Sequence, residues 1–216
     1  MRGKEILYKF DEESNSRVDL NMRLLKVVVN ELLEGVRNNT DDVDTNQVEK
    51  MITILLESKG HKVMVIGAGR SGLVGRGFAM RLMHLGFDVY FVGETVTPAM
   101  SRNDLLFVIS SSGITTSVVA AAEIGKKIGA RIVAITSHPS SPLGRIADII
   151  VELRGKATAM KTDQPSQPLG ARELHPPLGT MFEVTCEVFL DGVTVELMNR
   201  LGETEEKMLM RHANIE

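Results

Sequence analysis

"KVMVIGAGRSG", residues 62–72, is the stretch whose reading decides the fold. Residues 63–66 are apolar without alternation, and glycine follows at positions 67, 69 and 72. An unbroken apolar run marks a strand buried on both faces, and glycines at its end let the chain turn sharply into a helix. Four more such runs follow: "DVYFVG" (88–93), "DLLFVIS" (104–110), "RIVAITS" (131–137) and "ADIIVEL" (147–153). Helical patterns separate them, at about 70–86 and 115–129, with a shorter one near 142–147. Continuous apolar strands alternating with helices predict an α/β fold, a single doubly wound domain whose five-stranded parallel sheet is flanked by helices.

Upstream, residues 16–37 place Leu20, Leu24, Leu25, Val28, Leu32 and Val36 at helical spacing. Val27, Val29 and Leu33 widen that stripe, so this helix needs cover on more than one side: either it lies across the domain, or it also packs on another subunit. "DTNQVEKMITILLESKG" (44–60) predicts a second helix, capped by Asp44 or Thr45 and stopped at Gly60. Downstream, residues 154–177 lack periodicity and hold four of the seven prolines, which predicts a long loop. A last helix is expected over roughly 178–201, then a charged tail ending "RHANIE". With 216 residues, the whole chain is expected to form one domain, 1–60 and 154–177 being parts of it.

Composition narrows the function classes. The chain is 43% hydrophobic and 25% charged, with net charge −3 and no basic block, which speaks against a nucleic-acid partner. No apolar run is long enough to span a bilayer, and the first residues lack the apolar core of a signal peptide. The single Cys186 fits a reducing compartment, so the expectation is a cytoplasmic protein with no membrane partner and a buried, unreactive thiol.

Two strand-to-helix junctions could hold phosphate. At the first, Gly67, Gly69 and Gly72 spell G-x-G-x-x-G, and Glu94 lies 22 residues beyond Gly72. That outline fits a dinucleotide site, but glycines there also serve a tight turn alone. The other junction carries "SSSGITTS" (110–117), in which six of eight residues bear a hydroxyl and none a charge. Ligands of open α/β sheets bind at the carboxyl ends of strands, where helix N-termini present unpaired N–H groups. Ser110, Ser111, Ser112, Gly113 and Thr115 therefore read as a phosphate cup. Gly69, Arg70 and Ser71 face the same edge, Arg70 bringing the only formal positive charge of either turn.

"GAGRSG", "VISSSGITT" and "AITSHPSSPLGRIAD" resemble the sugar isomerase (SIS) domain, which binds phosphosugars. The ending, with "LGTMFE" and "RHANIE", is similar to that of the 6-phospho-3-hexuloisomerases, and the likeness runs over nearly the whole chain. One position departs: that family's serine turn has glutamate where Ile114 stands. The resemblance implies interconversion of D-arabino-3-hexulose 6-phosphate and D-fructose 6-phosphate through a cis-enediolate, with neither metal nor redox cofactor. It also implies a homo-oligomer, a tetramer by the family's habit. Within "LGTMFE" it makes Glu183 the proton acceptor. His212, on the tail, becomes a second catalytic candidate, for ring opening or proton transfer in its own or a neighbouring subunit. His61, His84, His138 and His175 form no H-x-H or H-x₃-H pair, and no metal site is expected.

Two rivals stand beside this reading. An oxidoreductase would use the G-x-G-x-x-G and Glu94, but residues 154–216 are few for a substrate region. A non-catalytic phosphosugar sensor would share the cup, although the N-terminal segment has no basic recognition helix. Another aldose–ketose phosphosugar isomerase remains an alternative of the same class.

Overall fold

A computed structural model describes residues 12–155 and 179–215 of the chain, with side chains from residue 25 onward. The apolar runs form strands β1 (Lys62–Gly67), β2 (Asp88–Phe91), β3 (Leu105–Ile109), β4 (Arg131–Thr136) and β5 (Ile149–Glu152). They pair in parallel throughout, in the order β2-β1-β3-β4-β5. The α/β fold with a five-stranded parallel sheet is as expected. The long loop predicted at 154–177 lies, apart from Arg154 and Gly155, outside the described residues.

Alternation along the strands sorts their side chains to two cores. Val63, Val65, Leu105, Phe107, Ile109, Val133 and Ile135 face one side; Met64, Ile66, Leu106, Val108, Ile132 and Ala134 face the other. The first side is covered by α2 (Thr45–Glu57), α3 (Gly69–His84) and α6 (Thr180–Leu201). The other is covered by α4 (Thr116–Ile128) and α5 (Pro142–Ile146). Each large apolar side chain removed from water this way contributes roughly 1.5–3 kcal/mol, which is why β3, buried along its full length, can sit at the centre.

The helix ends follow local chemistry. Asp44 is the cap of α2, its Oδ1 accepting from the Asn46 N–H at 2.8 Å. Gly129 closes α4 in the left-handed conformation at φ 93°. Beyond α6, where only a charged tail was expected, Thr204 caps a further short helix, α7 (Glu205–Met210), with Glu205 and Glu206 in its first turn.

The leading helix, α1 (Glu12–Asp41), runs further than predicted at both ends. It crosses α6 where Gly35 meets Met181; a Cβ on Gly35 would lie 2.3 Å from the Met181 Cε. Val36 is buried at this crossing, whereas Leu25, Val29 and Leu33 are exposed. Within one chain the broad apolar stripe is thus covered on one side.

Strand order locates the ligand crevice. The chain leaves β1 toward β2 and then crosses back to β3 on the far side of β1. The point of reversal lies between the carboxyl ends of β1 and β3, where open α/β sheets bind ligands. Both polar turns picked out from the sequence end there.

Candidate active site

The turn after β1 is tight, and two of its glycines are required by close backbone packing. A Cβ on Gly67 would fall 2.8 Å from the Ser71 carbonyl oxygen, and one on Gly72 would fall 2.7 Å from that of Gly67. Gly69 opens α3 at φ 56°, and Ser71 is buried on its first turn. Glu94 forms an ion pair with Arg76 of α3, whose guanidinium also lies 4.0 Å over the Phe91 ring. Both dinucleotide-like features therefore have partners within the chain.

The serine turn after β3 is bound into the sheet from beneath. Ser110 Oγ accepts from the Gly113 N–H at 3.3 Å, and Ser112 Oγ from the Ile114 N–H at 3.4 Å. Each hydroxyl thus engages a lone pair internally and retains its own O–H for an outside acceptor. Thr115 holds the N-cap position of α4 without a side-chain cap hydrogen bond. Gly113 is buried at φ 62°, against Ser141 and Thr136. The Ser111 carbonyl accepts from the Ser137 N–H at 3.0 Å and from Thr136 Oγ1 at 3.1 Å, and His138 Nδ1 lies 3.0 Å from it.

Glu183 enters from the other side. Gly179, left-handed at φ 80°, starts α6, and the Glu183 N–H donates to the Gly179 carbonyl at 3.2 Å. Met181 and Phe182 bury themselves in the core, which leaves Glu183 facing the sheet edge. Its carboxylate, 12% exposed, takes Arg70 Nε on Oε2 at 2.5 Å. The one cation expected to face phosphate from the turns is therefore paired with Glu183.

An open cleft of about 200 Å³ gathers Ser71, Ser110, Ser111, Ser112, Thr115 and Glu183, with His138 among its walls. Gly69 and Arg70 flank it on α3, and Gly113 lies beneath the serine turn. His212 is elsewhere. Its ring stacks on that of His84, the last residue of α3, at 5.1 Å between centroids. A helix of 16 residues is about 24 Å long, which separates His212 from the cleft at the helix's first turn within one chain. Burial, with His212 and Arg81 nearby, holds the His84 imidazole below its usual pKa. Cys186 is fully buried, which pushes its thiol far up and leaves it unreactive.

The sequence reading missed His138. "SHPSS" follows the fourth strand, and the rule that ligands meet carboxyl ends would have placed it beside the serine turn once β4 was set next to β3. Among the described residues, no group of three or more His, Cys, Asp or Glu is placed to hold a metal ion. No described helix is long and apolar enough to cross a membrane. The cleft thus offers neutral donors and a helix N-terminus on one wall and a carboxylate on the other. That combination suits an anionic substrate with an acidic C–H or O–H.

Comparison with known proteins agrees with this geometry. The SIS domain family matches residues 55–166. A 3-hexulose-6-phosphate isomerase of Mycobacterium gastri is 40% identical over 183 residues, 85% of this chain and 87% of that protein. One from Methanocaldococcus jannaschii is 38% identical over 191 residues, covering 88% and 96%. A crystal structure from Methanococcus jannaschii, from which a 3-hexulose-6-phosphate isomerase function was inferred, has a TM-score of 0.69 at 38% identity, covering 90% of this chain and 99% of that one. The chain belongs to the SIS-domain family and, within it, to the group that includes the 3-hexulose-6-phosphate isomerases.

Proposed function

We propose that this protein interconverts D-arabino-3-hexulose 6-phosphate and D-fructose 6-phosphate. The observation that carries the reading is one cleft that sets the Glu183 carboxylate opposite the hydroxyl-rich turn, at the switch point of the sheet. Ser110, Ser111, Ser112 and Thr115, with the N-terminus of α4, take the phosphate. Glu183 lifts the proton from C2 of the 3-keto sugar. The C2–H electron pair becomes the C2=C3 bond, and O3 takes the negative charge. Return of the proton to C3, with transfer of the O2 proton to O3, leaves the carbonyl at C2. No electrons enter or leave. Arg70 holds the carboxylate in position and offsets its charge against the phosphate.

Homo-oligomerisation belongs to the same proposal, as a tetramer on the family resemblance. The exposed apolar row Leu25, Val29 and Leu33 supports it. His212 then acts, if it touches substrate, from a neighbouring copy. The test is a coupled assay for fructose 6-phosphate formed from the 3-hexulose phosphate. Binding of sugar phosphate without turnover points to a sensor, and turnover of a different pair of sugars to another isomerase of this fold.

A further inference from the structure

We infer that His138 is a phosphate-binding residue of the cleft, donating from Nε2 to the substrate's phosphate group. The inference rests on the phosphate-cup reading and adds to it a ring nitrogen that the serines lack. Its loop is fastened to the cup: the Ser137 N–H and Thr136 Oγ1 both donate to the Ser111 carbonyl, and the Leu143 N–H donates to the Gly113 carbonyl at 3.1 Å. His138 Nδ1 lies 3.0 Å from that same Ser111 carbonyl oxygen. A carbonyl only accepts, so Nδ1 carries the hydrogen, and the ring is oriented with Nε2 left for another partner. The His138 ring belongs to the cleft wall together with Ser111, Ser112, Thr115 and Glu183.

The charges in the cleft call for such a donor. A phosphate dianion bound near the Glu183 carboxylate repels it, and the Arg70 guanidinium is engaged with Glu183 at 2.5 Å. An imidazolium has N–H donors at both nitrogens, one for the Ser111 carbonyl and one for a phosphate oxygen. His138 therefore supplies a charge-assisted hydrogen bond from within the cup.

The test compares His138→Asn, His138→Ala and Ser112→Ala with the unaltered protein. Asparagine can place its amide N–H near the Nδ1 position, keeping the bond to the Ser111 carbonyl while removing Nε2. The probes are inorganic phosphate, by its inhibition constant and by calorimetry, and the KM and kcat of the isomerisation. We expect both His138 variants to bind phosphate about tenfold more weakly and to raise KM by a similar factor, with kcat changed less than about threefold. In histidine ¹⁵N spectra, phosphate should shift the Nε2 signal of His138. If His138→Asn binds phosphate normally while Ser112→Ala does not, the inference is wrong and the cup stands. If neither variant weakens phosphate binding, the cup reading itself fails. If Asn restores what Ala loses, His138 serves only to hold the Ser111 carbonyl, and the inference is likewise overturned.

Discussion

Replacing Gly113 by alanine tests how firmly the serine turn is clamped. The residue sits at φ 62°, and a Cβ there would meet Ser141 Oγ at 2.0 Å, Ser141 Cβ at 2.6 Å and Thr136 Oγ1 at 3.3 Å. The left-handed conformation alone costs an L-residue about 1–2 kcal/mol. Ser141 must also withdraw, and its Oγ is the N-cap of α5, accepting from the Gly144 N–H at 3.2 Å. Loss of such a cap costs about 1 kcal/mol. The expected destabilisation is therefore about 2–3 kcal/mol, read from the urea midpoint at unchanged slope. Gly202 provides the control, since it shares the φ of 62° but a Cβ added there would meet nothing within 4 Å. Gly202→Ala should lose only the backbone part, about 1–2 kcal/mol, and leave KM alone, whereas Gly113→Ala should also raise KM. Equal losses in the two variants, with KM unchanged in both, would refute the clamp between the serine turn and the loop after β4.

Two further outcomes follow from the same structure. Ser112→Ala removes an O–H donor from the cup, so KM should rise about tenfold while kcat changes little; steady-state kinetics that left KM untouched would contradict the cup. His84 is buried with its pKa lowered by burial first, then by His212 and Arg81. Its unfolded form binds a proton more readily than its folded form, so the folded state loses stability as pH falls through the ordinary histidine range and keeps it above. Thermal unfolding of His84→Gln should show a smaller drop between pH 8 and pH 5.5 than the unaltered protein, and an equal or larger drop would contradict this.

The fold was legible because β3 and its neighbours are apolar on both faces, and that pattern has few other uses. Strand ends were less so: β2 stops at Phe91, two residues early, because Gly93 turns away at φ 99°. α6 was legible as a helix but not by its face. It packs against α1, α2 and α3, and its buried set, from Met181 and Phe182 through Cys186 to Leu197, winds round the axis. α7 escaped notice because all of its residues lie at least partly in solvent, and Thr204 with two glutamates was its only signal. In the cleft, the serines were readable as an uncharged run of hydroxyls at a strand end. The Arg70–Glu183 pair, 113 residues apart, and the approach of His138 to Ser111 are tertiary facts with no local signature. The position of His212 beside His84 is another, because it depends on how α7 folds back over the end of α3.

The most direct test is the rate of fructose 6-phosphate formation from D-arabino-3-hexulose 6-phosphate, for the unaltered protein and for Glu183→Gln. Glutamine preserves the shape of the side chain and removes its capacity to accept a proton. The account predicts turnover by the unaltered protein and a fall in kcat of about 10²–10⁴-fold in the variant, with phosphate inhibition retained. Turnover that survives Glu183→Gln intact would contradict the assignment of the base, and no turnover by the unaltered protein would contradict the proposed function.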